Sequence, residues 1–347
     1  RYLQEKPLSA AEQQAALALW NDRMNPTYSD CENASAEWVK ARATVAGLDK
    51  PAEITIDRPI AEGSYTTYCN CLPAGFRQAA VTLKERATKY GAASEQLKQW
   101  GKAQDQVFSN CGFAAFGDKK PPAPTFPAAL PAGADRLAQQ DRAYQIAAAH
   151  FYAGQFDTAY KEFSAIVQDN QSPWQMLSRY LAARALVRKG MLSKEEGYDA
   201  APLEQAAKEL SAMLADPSMQ KLQDDIKCLL HYCQVRVAPG VLISSLSAAL
   251  QKELTSDDLK EYTSTIDIVI NNTDTGGLTG DYDAQPAAIK QDEMTDWICT
   301  MQSTGPQSTS HAVSLWKEKQ SLPWLIAALN KIDAKSSDSP AVVSAAE

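Results

Sequence analysis

The chain contains little histidine, no excess of basic residues and no long apolar run. Only 3 of its 347 residues are histidine, so the side chain most often used for proton transfer near neutral pH is scarce. Its 34 lysines and arginines are outnumbered by 42 aspartates and glutamates. This balance argues against nucleic acid as a partner, because the phosphate backbone attracts basic surfaces. No apolar run approaches the ~18 residues that a membrane-spanning helix requires.

The remaining composition is that of an ordinary globular protein. Apolar residues make up 45% of the chain and charged residues 22%, which excludes wholesale disorder. The length predicts two domains, although one long domain would also fit. No G-x-S-x-G, H-E-x-x-H, Walker A or G-x-G-x-x-G pattern occurs. The sequence therefore predicts no cofactor and favours a binding protein over an enzyme.

The cysteines indicate the compartment. The seven are Cys31, Cys69, Cys71, Cys111, Cys228, Cys233 and Cys299. Neighbours in a C-x-C cannot easily bridge each other, and a single C-x-C lacks the pattern of a zinc site. We predict two disulfides that pair Cys31 and Cys111 with Cys69 and Cys71, in an order that the sequence leaves open. Buried thiols in a reducing compartment are the alternative.

The three later cysteines raise a second question. Cys228 and His231 share one face of a predicted helix, where a metal could bind them together with Cys299. Cys233 lies far round the same helix from Cys228, which leaves a zinc site short of ligands. The sequence favours a disulfide to Cys299 and one buried thiol.

The N-terminus also indicates export. The chain opens with RYLQEKP and has neither an initiator methionine nor an apolar signal segment. This is typical of a mature terminus after removal of a signal peptide, and a trimmed chain would look the same. With the predicted disulfides, it indicates a periplasmic or secreted, cell-surface protein of bacterial type.

Helical periodicity runs through nearly the whole chain. Ser9 and Glu12 form a capping box at the start of a helix in a cysteine-containing region, residues 1–111. Residues 112–133 are a linker with prolines at five positions, which excludes a helix. Its phenylalanines, Phe113, Phe116 and Phe126, suggest that it lies against the domains, whereas its composition also suits a flexible spacer.

Residues 143–167 resemble a tetratricopeptide (TPR) repeat, a pair of antiparallel helices. The matching packing positions are Ile146, Ala147, Gly154, Phe156, Ala159 and Phe163. Small residues in these places allow close helix approach, and aromatic rings fill the groove. Two looser pairs follow, 180–188 with 202–214 and 219–237 with 241–254. The resemblance extends to uncharacterised exported bacterial repeat proteins and implies an α-solenoid whose surface binds peptides or proteins.

We therefore predict an all-α chain with an irregular TPR-like solenoid over residues 134–332 and a disordered tail over 333–347. In 266–270, alternating residues would also allow a strand, but the preceding Asp257 and Asp258 favour a helix start. A helix bent near Pro323 is expected to end the solenoid.

Two further patterns are weighed as sites. Asp274-Thr275-Gly276 matches the triplet of aspartic proteases, but a single copy without an apolar strand is a chance match. Its acidic loop also lacks the EF-hand spacing for calcium.

The seven tryptophans would also suit a sugar-binding protein. Five lie on apolar stripes that indicate a core position: Trp20, Trp38, Trp100, Trp297 and Trp316. Trp174 and Trp324 follow prolines and are the surface candidates.

The functional hypothesis is an exported, non-enzymatic scaffold or adaptor in a cell-surface assembly. It would bind a protein or peptide through the repeat-like surface, with Gln145, Gln155 and Lys161 left for solvent or the partner. The rival is a cell-wall glycan-binding protein or a glycan-acting enzyme, which would use exposed tryptophans and a carboxylate pair.

Overall fold

The computed structural model describes residues 6–25, 33–49, 54–60, 67–112, 122–194, 197–271 and 287–347. Helices dominate these residues, and the predicted all-α class is confirmed. In chain order the helices are α1 (Ala10–Met24), α2 (Ala36–Arg42), α3 (Pro73–Tyr90), α4 (Glu95–Phe108), α5 (Arg136–Tyr152), α6 (Phe156–Val167), α7 (Gln175–Leu192), α8 (Ala200–Leu214), α9 (Gln223–Val237), α10 (Pro239–Lys252), α11 (Ser256–Asn271), α12 (Glu293–Gln302), α13 (Pro306–Lys319), α14 (Leu322–Lys331) and α15 (Ser339–Ala346). Two short strands, β1 (Asp57–Pro59) and β2 (Thr67–Cys69), pair antiparallel.

Several helix ends follow directly from the local sequence. The Ser9 hydroxyl accepts from the Glu12 amide at 3.3 Å, and the Ser9 amide donates to the Glu12 carboxylate at 2.7 Å. This is the predicted capping box of α1. Gly91, with a φ of +90°, ends α3, as a residue without a Cβ does at low cost. Within the described part of the chain, no helix is both long and apolar enough to cross a bilayer.

The contacts divide the chain into two compact units. The central unit is Tyr28–Leu230, and the terminal unit combines Arg1–Thr27 with His231–Glu347. In the terminal unit α1 packs on α11, where Lys260 donates to Asp22 at 2.9 Å.

This division differs from the predicted succession of regions 1–111, 112–133 and 134–332. The physical reason is that composition changes along the chain, whereas helices pack on partners that are distant in sequence. Residues from all three predicted regions lie in the central unit.

The proline-rich segment packs on the central unit where it is described. Asn110 donates to the Thr125 carbonyl at 2.8 Å, and the Thr125 amide donates to the Asn110 side chain at 2.9 Å. The Phe126 ring stacks on His150 with 4.3 Å between centroids. The packed alternative therefore holds for residues 122–131, while Phe113 and Phe116 lie outside the described residues.

One continuous apolar core fills the central unit from α2 to α7. In the part of the core formed by α2, α3 and α4, the Phe108 ring centroid lies 5.5 Å from that of Trp38 and 4.4 Å from that of Phe76. Further along the chain, Ala147, Ala159 and Phe163 are completely buried. The two alanines let α5 and α6 approach closely, so the predicted packing role of these residues is confirmed.

A disulfide fixes the strand pair to α4. Cys71 and Cys111 are bonded and buried. The Asn70 side chain donates to the Cys111 carbonyl at 2.7 Å and to the Tyr152 carbonyl at 2.9 Å. Arg188 of α7 donates to the Asn70 carbonyl at 2.6 Å. The end of β2 is therefore held by α4, α5 and α7 together.

Two apolar clusters lie in the described part of the terminal unit. Residues of α10, α11 and α12 form one, in which Ile266 lies on a helix rather than a strand. Residues of α13, α14 and α15 form the other, around the fully buried Trp324. The predicted disorder of residues 333–347 is wrong for α15, because Val342 is completely buried in that cluster. The tail is rich in alanine and serine, so its composition alone did not indicate that Val342 packs with residues of α13 and α14. The bend expected near Pro323 is a break, with Gln320 in the left-handed region at a φ of +52°.

Candidate functional site

Helix α5 is held in place by one buried carboxylate. Asp141 is 1% exposed and accepts from Arg86 of α3, at 2.6 Å from Nε and 2.8 Å from Nη2. The indole N–H groups of Trp100 and Trp174 donate to it at 3.0 and 2.8 Å. A buried charge is tolerated when it is paired and its hydrogen-bonding capacity is filled. The segments that carry these residues therefore meet at one fixed point.

The segment between α6 and α7 is packed against α5. The Trp174 indole stacks on Tyr144, with 4.0 Å between ring centroids and an angle of 11°. The Ser172 hydroxyl accepts from the Trp174 amide at 3.2 Å. Burial raises the pKa of the Tyr144 phenol. These contacts hold the connection that follows α6 against α5.

A groove of about 380 Å³ runs between α5 and α6. Its floor is apolar, with Ala143 and Ile146 from α5 and Ala165 and Ile166 from α6. The two alanines are exposed, so the floor is shallow and open to a ligand. The remaining lining residues are polar and flank the floor: Arg136, Gln139, Gln140, Glu162, Asp169 and Ser172.

A carboxylate that accepts three hydrogen bonds from the protein closes one end of the groove. Asp169 accepts from Arg136 at 2.9 Å and from Gln140 at 2.8 Å, and its other oxygen accepts from the Gln171 amide at 3.2 Å. The Gln140 hydrogen bond, with help from Gln171 and Arg136, holds the pKa of this carboxyl below its usual value. The charges at this end are balanced within the protein.

The other end carries a carboxylate with unused capacity. One oxygen of Glu162, Oε1, lies 3.6 Å from the His150 Nε2 atom. The other, Oε2, is buried and has no hydrogen-bond partner among the described residues. Burial raises the pKa of the Glu162 carboxyl, and the nearby His150 opposes that shift. On its other side, His150 Nδ1 lies 2.6 Å from the Gln155 side-chain oxygen.

The exposed positions predicted in this helix pair are partly revised. Gln145 was expected to face solvent or a partner, but it is 1% exposed. Its amide donates to the Trp100 carbonyl at 3.1 Å and to Gln104 at 3.2 Å, so it joins α5 to α4. Gln155 and Lys161 are exposed as expected.

Sequence reasoning missed the charged residues that line the groove. Arg136, Gln139, Ala143 and Ile146 recur every three to four residues, which places them on one face of α5. This signal was available in the sequence. The matching face of α6 could only be identified once the two helices were seen side by side.

The candidate disulfide residues fall into two groups. Cys71 and Cys111 form one of the pairings that the sequence left open, and Cys69 is also disulfide-bonded. Cys31 lies outside the described residues. Cys228, Cys233 and Cys299 are thiols, so the structure differs from the suggested bond to Cys299. Cys233 and Cys299 are each buried, and burial raises the pKa of each to about 12.

The remaining candidates do not assemble into a reactive centre in the described chain. His231 lies 3.3 Å from Glu261, and His311 lies 2.9 Å from Asp296. Within the described ranges, no group of three or more His, Cys, Asp or Glu residues has metal-binding geometry. Asp274, Thr275 and Gly276 lie outside the described residues, as does the rest of their acidic loop.

The tryptophan assignments are partly reversed. Trp174 and Trp324 were the surface candidates but are 5% and 0% exposed. Their indole N–H groups donate to Asp141 and Glu293, so each buried indole keeps a hydrogen-bond partner. Trp20, expected in the core, is 61% exposed on α1.

No protein-family model matches this chain, and neither does any curated protein or solved structure. The geometry of the groove is therefore the basis for a functional assignment.

Proposed function

We propose that this chain binds an extended segment of another protein in the groove between α5 and α6. The observation that carries the proposal is the groove itself, about 380 Å³ with an apolar floor and charged ends. The exposed Ala143 and Ala165 leave room for side chains above the floor. Polar groups at both ends can pair with a peptide backbone and fix its register.

The rigid setting of the groove favours binding. Asp141 ties α5 to α3 and α4, and Trp174 ties the end of the α6–α7 connection to the same carboxylate. A surface that is already ordered loses little conformational entropy when it binds a ligand. A larger part of the interaction energy then remains as binding affinity, even when the contact area is small.

The wider architecture supports the same function. Helices α5 to α8 pack in sequence, each on the next. The resemblance of residues 143–167 to a TPR unit adds to this argument, because stacked helix pairs commonly bind peptides. This support is by analogy of architecture, and the groove is the physical basis.

We place the protein outside the reducing cytosol, in the periplasm or at the cell surface. The buried Cys71–Cys111 disulfide supports this assignment, since such bonds persist in oxidising compartments. The glycan-binding alternative is less well supported. The two tryptophans predicted at the surface, Trp174 and Trp324, are buried, and no aromatic side chain is among the described residues that line the groove.

The test is a selection of peptides from a random displayed library on the purified full-length chain, followed by affinity measurements. Ala165→Trp fills the floor at an exposed position and should weaken the selected peptides at least tenfold. Ala248→Trp makes the same change at an exposed position of α10 and should bind like the wild type. Both variants should keep the wild-type melting temperature.

Enrichment of no peptide would overturn the proposal. So would selected peptides that bind Ala165→Trp and the wild type equally well.

A further inference from the structure

The two carboxylates of the groove differ in what they can still bind. Asp169 accepts hydrogen bonds from Arg136, Gln140 and Gln171. Glu162 has one oxygen near His150 and a second oxygen with no partner among the described residues. Any additional donor that enters the groove is therefore better received at Glu162 than at Asp169.

The unpaired oxygen destabilises the ionised form of the Glu162 carboxylate. A buried carboxylate oxygen without a donor loses its hydration and receives nothing in return. The raised pKa of Glu162, caused first by burial, is consistent with that loss. The buried Oε2 atom is out of reach of a ligand, but the Glu162 side chain as a whole is 32% exposed, and a cationic donor that reaches Oε1 would pair with the charge of the carboxylate.

The floor determines the shape of the ligand beside that carboxylate. Glu162 lies in α6 and Asp169 two residues beyond its end, so their separation of seven residues corresponds to roughly 10 Å at the helical rise. Ala165 and Ile166 lie between them, and Ala143 and Ile146 face them from α5. An extended peptide of three residues covers this distance. An aliphatic side chain can lie on the apolar floor while a charged head reaches the end.

Lysine has both properties. Its hydrocarbon stem packs on apolar surface, and its ammonium is a compact cation with three donors. Arginine fits less well, because its planar fork pairs best with both oxygens of a carboxylate. At Glu162 the buried Oε2 atom cannot take part, which leaves the single oxygen Oε1 for the ligand.

We infer that the groove recognises a lysine of the bound peptide, with the lysine stem on the floor and the ammonium on Glu162. This inference rests on the proposed function, since it assigns the chemistry of the segment that the groove binds. In this assignment Glu162 determines which side chain the groove selects, and Asp169 only forms the opposite end of the groove.

The test compares two fluorescently labelled peptides by fluorescence polarisation. The first is acetyl-Ala-Leu-Lys-Leu-Ala-amide, and the second has norleucine in place of lysine, which keeps the stem and removes the ammonium. On the wild-type chain we expect the lysine peptide to bind at least tenfold more tightly. Glu162→Gln should remove this preference while the norleucine peptide binds as before. Glu204→Gln removes the same charge from an exposed position of α8 and should change nothing.

A charge reversal keeps the inference falsifiable if Glu162→Gln disturbs the fold. Glu162→Lys should weaken the lysine peptide and favour a third peptide, with glutamate at the central position. Equal binding of the lysine and norleucine peptides to the wild type would overturn the inference, and so would the absence of binding by both.

The two proposals fail differently. If Ala165→Trp abolishes binding of library-selected peptides that lack lysine, the groove still binds peptides and only the lysine assignment falls. If peptides bind without regard to Ala165→Trp, the groove itself is the wrong site.

Discussion

Arg86 of α3 and Asp141 of α5 form a two-point ion pair in the interior of the central unit, with their side chains 8% and 1% exposed. The same carboxylate accepts the indole N–H groups of Trp100 and Trp174. Removing one member of such a pair leaves a buried charge without compensation, whereas removing both does not. The contact is therefore a sensitive point for the stability of the groove.

Asp141→Ala should lower the free energy of unfolding of the central unit by about 3–5 kcal/mol, because it leaves the Arg86 guanidinium buried and unpaired. Asp157→Ala is the matched control. Its ion pair with Lys189, at 2.6 Å, is exposed, so we expect a loss below about 1 kcal/mol. Urea titration followed by circular dichroism measures both values. Similar losses in the two variants would contradict the role assigned to Asp141. The double variant Arg86→Met with Asp141→Leu should be more stable than Asp141→Ala.

Removing the Cys71–Cys111 bond should destabilise the central unit by about 4 kcal/mol. The bond spans 40 residues, and the estimate is the chain entropy that such a closed loop removes from the unfolded state. Cys71→Ala with Cys111→Ala tests this by urea titration, and Cys228→Ala, at an exposed thiol, should cost much less. A double variant as stable as the wild type would show that packing alone holds the strand pair to α4.

Thiol reactivity should separate the three later cysteines. The thiolate is the reactive form, and burial raises the pKa of Cys233 and of Cys299 to about 12. At pH 8 we expect Ellman's reagent to label the exposed Cys228 first and the buried pair only after unfolding. The unreduced, unfolded chain should give three thiols, as expected if the first four cysteines form two disulfides. Seven thiols in protein from an oxidising compartment would refute both the disulfides and the export proposal.

Asp216 should remain ionised to unusually low pH. Its ion pair with Arg179 and its hydrogen bonds from Ser218 lower its pKa to about 2. Since this folded-state pKa lies below the unfolded value of about 3.9, the pair contributes stability above pH 4 and loses it as the pH falls through 2. Carboxyl-detected NMR titration should show the pKa rising in Arg179→Gln and staying unchanged in Lys208→Gln, at an exposed lysine of α8. An unchanged Asp216 pKa in Arg179→Gln would rule out the pair as its cause.

Local signals predicted the helices well. Ser9 with Glu12 and Gly91 mark helix ends through contacts within a few residues, so the sequence alone reveals them. The burial of Ala147 and Phe163 follows equally from periodicity.

Long-range partners could not be predicted in the same way. Trp174 follows a proline and looked like a surface residue, but its indole reaches Asp141, 33 residues earlier in the chain. Gln145 resembled a polar surface position and instead joins two helices. The charged ends of the groove could not be predicted for the same reason, because Glu162 lines a groove only when α5 packs opposite α6. Hydrogen bonds between distant segments leave no periodic pattern in a sequence.

The discontinuous terminal unit has a consequence for biosynthesis. Helix α1 packs on α11, which the ribosome makes roughly 230 residues later. At common rates of translation, that delay is on the order of ten to fifty seconds. All of the central unit emerges in the interval. Helix α1 is thus made before the central unit but can pack on α11 only after that whole unit has emerged.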